Sequence, residues 1–563
     1  MTKIITESAE KESKNAVWGR KEVAEKISEY ERNVAQAVSQ RQGAKELSIP
    51  RTTLQHWLKR KEKLAAAKEV VAFFESPSGL AFLHQLVVAS QFVMTEVGPC
   101  GIRLECLFLE LSGLAKFVAS SYGAQQQATV AMEKAVVEYE QQERKRLAAD
   151  MTRKQISVCQ DETFHPEICL VGIEPVSNFI LVEKYAEARD EKSWTQAMTA
   201  AVEGLAVEII QSTSDEGKGL LAHVNNGLAV HHSPDLFHIE SELIKATAAS
   251  LASQTRKAQT NYEKAVAKST ERETQKADYL TQGGGRNVIY FEKRIESAKH
   301  LEQAAKHDLT LAESNQKHAQ DAVRGISAAY HPFDLQTGLK LSPQQVASLL
   351  AKQFAELQQI AQEAELSEVS RKRIQKAHKL VPQMVATITF FFQMVINYVQ
   401  PQALPVAIEE VLYQQLIPGF YLQQAAEKTK LAEQRNKILA TAERLFATAT
   451  APHSPLNQLE KDQQEEIRNL AKQCAQLFQR SSSCVEGRNG QLSLRHHSLH
   501  RLSSRKLHVL TTVHNYFIKR VDGSTAAERF FGTPPKDLFK WLLDRIDLPA
   551  RPAIKRSLLR SAS

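Results

Sequence analysis

The chain has 563 residues, long enough for several domains, and carries 72 Lys and Arg against 64 Asp and Glu, a formal net charge of +8. With only 22 Gly and 18 Pro it cannot be loop-rich or fibrous; the composition predicts a predominantly helical multidomain protein. The mild basic excess permits a nucleic-acid partner without requiring one.

The N-terminus, "MTKIITESAEKESK", is polar and lacks an apolar signal core, so a cytoplasmic location is expected. Residues 34–62, "VAQAVSQRQGAKELSIPRTTLQHWLKRKE", read as two short helices about a tight turn, with Pro50 ending the first. Leu54, Trp57 and Leu58 share one face of the second, and Arg51, Gln55, Lys59 and Arg60 lie elsewhere. The pattern resembles the helix-turn-helix of transposases and repressors, which implies those four residues as DNA contacts; an ordinary hairpin with a solvated basic face is the plainer alternative. Residues 1–65 form this region, and 66–150 continue as a helical domain without evident chemistry.

At residue 155 the period changes. "QISVCQDETF" (155–164), "ICLVGIEP" (168–175) and "NFILVEKY" (178–185) read as three strands of an antiparallel meander. A helix (187–206) with Trp194, Met198, Val202 and Leu205 at helical spacing follows. Then come a fourth strand, "VEIIQS" (207–212), a short helix and a fifth strand, "LAVHHS" (228–233).

Asp161 closes the first strand and Asp215 follows the fourth, while "VEGRN" (485–489) places Glu486 three residues before Asn489. "DLFHI" (235–239) follows the fifth strand. In this order and spacing the chain resembles a DDE insertion-sequence transposase with a ribonuclease-H-like α/β core, over roughly 151–245 and 480–532. The resemblance implies an order βββαβαβ plus late helices, and a triad of Asp161, Asp215 and Glu486. It further implies two Mg²⁺ ions, with Mn²⁺ as a substitute, and cleavage and joining of double-stranded DNA ends by a nucleoid-associated homo-oligomer. Asp235, His238 and Glu162 are the rival or accessory ligands, with Asn489 beside them. Plainer roles stand next to each: Asp161 as a strand-end turn residue, Asp215 as a helix N-cap, Glu486 as a first-turn acid, His238 as a packed core residue.

Between Asp235 and Glu486 the chain is almost wholly helical. From Ile295 through Ala298, Glu302, Ala305, Leu309, Ala312, Gln316, Ala319 and Val323 to Ile326, a three-four spacing makes a coiled-coil-like seam. Paired with the helix before "TQGGGRN" (281–287), it predicts an antiparallel hairpin inside an all-helical insertion, 241–480. "VPQMVATITFFFQMVINYVQ" (381–400) is interrupted by Gln383, Gln393 and Asn397, so a buried helix is expected rather than a membrane span. The core should resume at 481–535, where Arg488, Arg495 and Arg501 follow Glu486 in a basic stretch suited to phosphates. A basic tail, 536–563, ends the chain. The six cysteines show no zinc-like spacing and read as structural thiols.

Two other functions fit the same residues. One is a ribonuclease-H-like nuclease or a degenerate transposase; the other is a non-catalytic helical DNA-binding regulator or scaffold.

Overall fold

The computed structural model describes Trp18 and residues 20–35, 38–59, 67–164, 166–499 and 501–549. Three short helices open it: α1 (Arg20–Val34), α2 (Gln40–Glu46) and α3 (Arg51–Lys59). They close on their own small core of Trp18, Ile27, Tyr30, Leu47, Leu54 and Trp57, the two indoles meeting edge to face at 5.4 Å. Ser39 caps α2 by accepting from the Gln42 N–H, and Ser48 takes a left-handed φ of 54° to turn the chain toward Pro50 and α3. Arg51 is exposed on α3 and Gln55 donates to Gln40; Arg60 and the side chain of Lys59 lie outside the described residues.

Helices α4 (Lys68–Glu75), α5 (Pro77–Gln91), α6 (Ile102–Leu111) and α7 (Tyr122–Ala149) follow, a π-helical turn at Phe92–Val97 extending α5. Leu83, Val87, Leu109, Leu114 and Val118 form a small cluster of their own, while the end of α5 and helix α7 reach the sheet. Phe92, Met132, Val136, Tyr139 and Leu147 pack into one core with sheet residues such as Val158, Leu170 and Phe179.

The sheet has five strands: β1 (Lys154–Phe164), β2 (Ile168–Glu174), β3 (Phe179–Ala186), β4 (Val207–Ser214) and β5 (His231–Pro234). Their spatial order is β3-β2-β1-β4-β5, with β1–β3 antiparallel and β4 and β5 parallel to β1. The connections are α8 (Glu191–Val202) between β3 and β4, and α9 (Lys218–Ala222) with a π-helical turn before β5. Side chains alternate across β1. Val158 faces a core holding Trp194 and Met198 of α8, whereas Cys159 faces the opposite side, with Val171 and Ile173.

After β5 the chain leaves the sheet in two long helices, α10 (Leu236–Thr281) and α11 (Val288–Ala329), which pair as the expected hairpin. Along the seam Ala298, Leu309, Ala319, Val323 and Ile326 are buried. The base of the hairpin joins α12 (Pro343–Glu363), α13 (Glu368–His378), α14 (Val381–Val399), α15 (Val406–Val411), α16 (Ile417–Glu427), α17 (Ala432–Ala449) and α18 (Lys461–Gln476) around a second large core. Two stretches, Pro77–Val97 and Glu368–Gln402, are long and apolar enough to cross a membrane. In the second, Met384, Ile388, Phe391 and Val395 of α14 are buried in that core, and Thr387 hydrogen-bonds Ser233 of β5.

The chain then returns through α19 (Ser483–Leu499), α20 (Ser504–Tyr516), α21 (Ala526–Phe531) and α22 (Leu538–Leu543). Helix α19 covers the Cys159 face of the sheet with Val485 and Leu492. The tail expected from 536 starts later, because Leu538, Leu542 and Ile546 are buried against the sheet core and His84 bonds the Ile546 carbonyl at 2.5 Å. All six cysteines are free thiols.

Candidate metal centre

Strand register assembles the first part of the site. The last β1–β4 pair is Gln160 with Ser214, and the last β4–β5 pair is Ser214 with Pro234. One residue further, Asp215 and Asp235 lie just past the carboxyl ends of β4 and β5, in register with Asp161 on β1, which runs on beside β2 to Phe164; ligands of open α/β sheets bind at such strand ends. The Asp235 N–H donates to the Ser214 carbonyl, holding the ends of β4 and β5 together.

A distant segment supplies the rest. The Leu236 N–H donates to the Arg480 carbonyl, and the Ser482 N–H and hydroxyl both donate to the Asp235 carboxylate. These bonds seat the start of α19 beside the start of α10. One turn along α19 comes Glu486, and three residues later Asn489, whose amide donates to Asp161 Oδ2 at 2.9 Å. On α10, His238 projects from the first turn, with Nε2 3.7 Å from Glu486 Oε1. One donor atom each from Asp161, His238 and Glu486 lies within 4.8 Å of the others.

The electrostatics are those of crowded carboxylates. Burial pushes Asp161 up to about 7; the Glu162 N–H opposes this, the Glu486 and Asp215 charges add to it, and His238 lowers it. His238 is raised to about 9, first by its hydrogen bond to Asp235, against burial, and further by the charges of Asp235, Asp161 and Asp215. Burial alone would raise Asp235, but bonds from His238 and Ser482 hold it below the usual carboxylate range.

Of the expected triad, Asp161 and Glu486 come together. Asp215 is near enough for its charge to act on Asp161 and His238, yet it lies outside the 4.8 Å group. Its Oδ1 accepts from the Gly217 N–H, so it shapes the loop before α9 and is not that helix's N-cap, which is Gly217. Asp235, the rival second acid, is 2% exposed and takes four hydrogen bonds, from the Phe237 N–H, His238 Nδ1 and both Ser482 donors. It caps α10 and orients His238. Glu162 points to the other face of the sheet, accepting from Trp194 Nε1 at 2.9 Å.

The basic stretch after Glu486 departs from expectation. Arg488 is buried and makes a two-pronged pair with Glu183 of β3, both bonds 2.7 Å. Arg495 donates to the Val97 and Gly98 carbonyls at the end of the π-helical turn. Two of the three arginines expected along a phosphate track thus fasten α19 to the protein; Arg501 is exposed, 3.7 Å from Glu167. Arg505 and Lys506 likewise pair inward with Glu133 and Glu96.

The residues fit a divalent cation. Donors about 2.1 Å from a hexacoordinate ion stand roughly 3 to 4.2 Å apart, so small side-chain rotations would close the group. Asn489 Oδ1, buried and without a hydrogen-bond partner among the described residues, leaves a further oxygen beside Asp161.

A family model described as "Family of unknown function (DUF6399)" matches residues 412–558, a stretch that includes Glu486 and Asn489 and stops short of the strand carrying Asp161. No curated protein matches the chain. No solved structure matches it either.

Proposed function

We propose that the protein is a DNA transposase whose sheet is a ribonuclease-H-like core, cutting and joining phosphodiesters with divalent metal at Asp161, Glu486 and Asp215. The observation that carries the reading is the meeting of two carboxylates, Asp161 and Glu486, from segments 325 positions apart in the sequence, beside a third acid at the next strand end. Burial, with the neighbouring acids adding to it, drives Asp161 up to about 7, and groups so perturbed cluster at functional sites. The strand order and the parallel pairing of β1, β4 and β5 support the same assignment. Bound there, Mg²⁺ or Mn²⁺ would supply an activated water or 3′-hydroxyl and neutralise the leaving oxygen.

The chain's own residues do the positioning. Asp161 is held by Asn489, and the start of α19 by Asp235 through Ser482, so that Glu486 meets β1 at a fixed height. The three-helix unit at the N-terminus, with Arg51, Gln55 and Lys59 on α3, would read element ends, and a homo-oligomer would pair two ends.

The test is incubation of the full-length protein with supercoiled plasmid carrying the DNA that flanks its coding region. Mg²⁺- or Mn²⁺-dependent cuts at the element boundary and joined products are expected. Asp161→Ala and Glu486→Ala should each lower cleavage by at least on the order of 10³-fold. Cleavage at the wild-type rate by either variant rules the proposal out, and cutting without joining assigns a nuclease instead.

A further inference from the structure

At the edge of the cluster a ring nitrogen meets a carboxylate, and that contact has a specific chemistry. His238 Nδ1 sits 2.6 Å from Asp235 Oδ2. A carboxylate so held accepts the Nδ1 proton, which leaves Nε2 as the atom facing Glu486 at 3.7 Å. Asp235 is itself fixed by both donors of Ser482 and by the Phe237 N–H, so the acceptor that orients the ring is held in place. A carboxylate behind one ring nitrogen, with the other turned toward acids and able to give up its proton to an ion, is the arrangement that orients metal-ligating histidines.

We infer that the centre is a mixed oxygen and nitrogen site, in which His238 Nε2 binds the ion together with Asp161 and Glu486, and Asp235 and Ser482 act as positioning residues. The inference rests on the metal-dependent reading above and changes its ligand set: the third donor comes from the first turn of α10, not from the loop after β4. Its consequence is selectivity. Mg²⁺ prefers oxygen ligands, whereas Mn²⁺ accepts imidazole, so this ligand set favours Mn²⁺.

The direct test needs no variant. Full-length protein loaded with Mn²⁺ alone is examined by electron spin-echo envelope modulation, which detects a directly bound ¹⁴N. Expected is a ¹⁴N coupling from one histidine, absent in His238→Gln, whose Mn²⁺ affinity by calorimetry falls at least ~10-fold while Mg²⁺ affinity changes little. Asp235→Asn, which keeps the size but weakens the hold on Nδ1, should lower Mn²⁺ affinity by about 10–100-fold. Bound Mn²⁺ without ¹⁴N coupling, or an unchanged coupling in His238→Gln, overturns the nitrogen ligand and leaves the carboxylate reading standing. Failure to bind Mn²⁺ at all, with no metal-dependent cleavage, overturns both.

Discussion

Arg488 illustrates how a residue's partner, and not its charge, decides its work. Its side chain is 8% exposed and Glu183 is fully buried, so removing either leaves an unpaired charge inside the protein. Arg488→Ala should cost about 3–5 kcal/mol of stability, measured by urea unfolding, while replacing both by apolar residues of similar size should recover most of it. Had the arginine been a phosphate contact, the single variant would fold normally and lose affinity for DNA. The reading from sequence missed this because composition reports the sign of a charge and not its direction. Glu183, Glu96 and Glu133 lie hundreds of positions from the cations they hold. The same limit explains Asp215 and His238. Which of two donors reaches Asp161 and Glu486 is settled over a few ångströms, by the Gly217 turn on one side and the Asp235 bond on the other.

At the scale of elements, far more was legible. Strands β1 to β5 fall within a few residues of their predicted ranges because β1 to β4 carry β-branched residues between turns; β5, His231–Pro234, has none and starts three residues later than its expected 228. The hairpin was legible for a similar reason: the seam from Ile295 to Ile326 repeats at a helical period that no other structure satisfies. Its outer part is also an independent unit. Buried side chains of α10 beyond Leu251 and of α11 before Asn315 are few, and Thr255 Oγ1 already reaches the Ala312 carbonyl across the pair. Replacing residues 256–311 by a short Gly-Ser linker at that bridge should therefore leave the urea midpoint of the remaining protein nearly unchanged. A collapse of that midpoint would mean the arm braces the body.

The whole molecule carries buried histidines that tie its stability to pH. Burial holds His223, His231 and His514 down at about 4, and His514 Nε2 donates to the Asn178 carbonyl, a bond made by the neutral ring. A histidine depressed in the fold takes up protons more readily when unfolded. Its contribution is thus fully present above the unfolded value near 6.5 and is lost as pH falls toward about 4. Urea titrations between pH 7 and 4.5 should show stability declining with acid, each histidine adding up to ~1.4 kcal/mol per pH unit. His514→Gln, neutral at every pH, should flatten that decline; a variant curve parallel to wild type would assign the slope elsewhere. Buried Glu96 and Glu105, both raised by burial, act in the opposite sense, so the comparison with the variant is the informative one.

Helix α10 runs unbroken for 46 residues from the turn that holds His238 to the tip of the arm. At 1.5 Å per residue it is a rod of roughly 69 Å that starts next to the carboxylates. A tilt of about 5° about its first residue would swing the far end by roughly 6 Å and move His238 by only about 0.3 Å. A load on the tip would therefore act through a long lever with a stiff, short side, and that short side carries the imidazole. Large displacements outside are geared down to the sub-ångström adjustments on which the spacing between His238 and Glu486 depends.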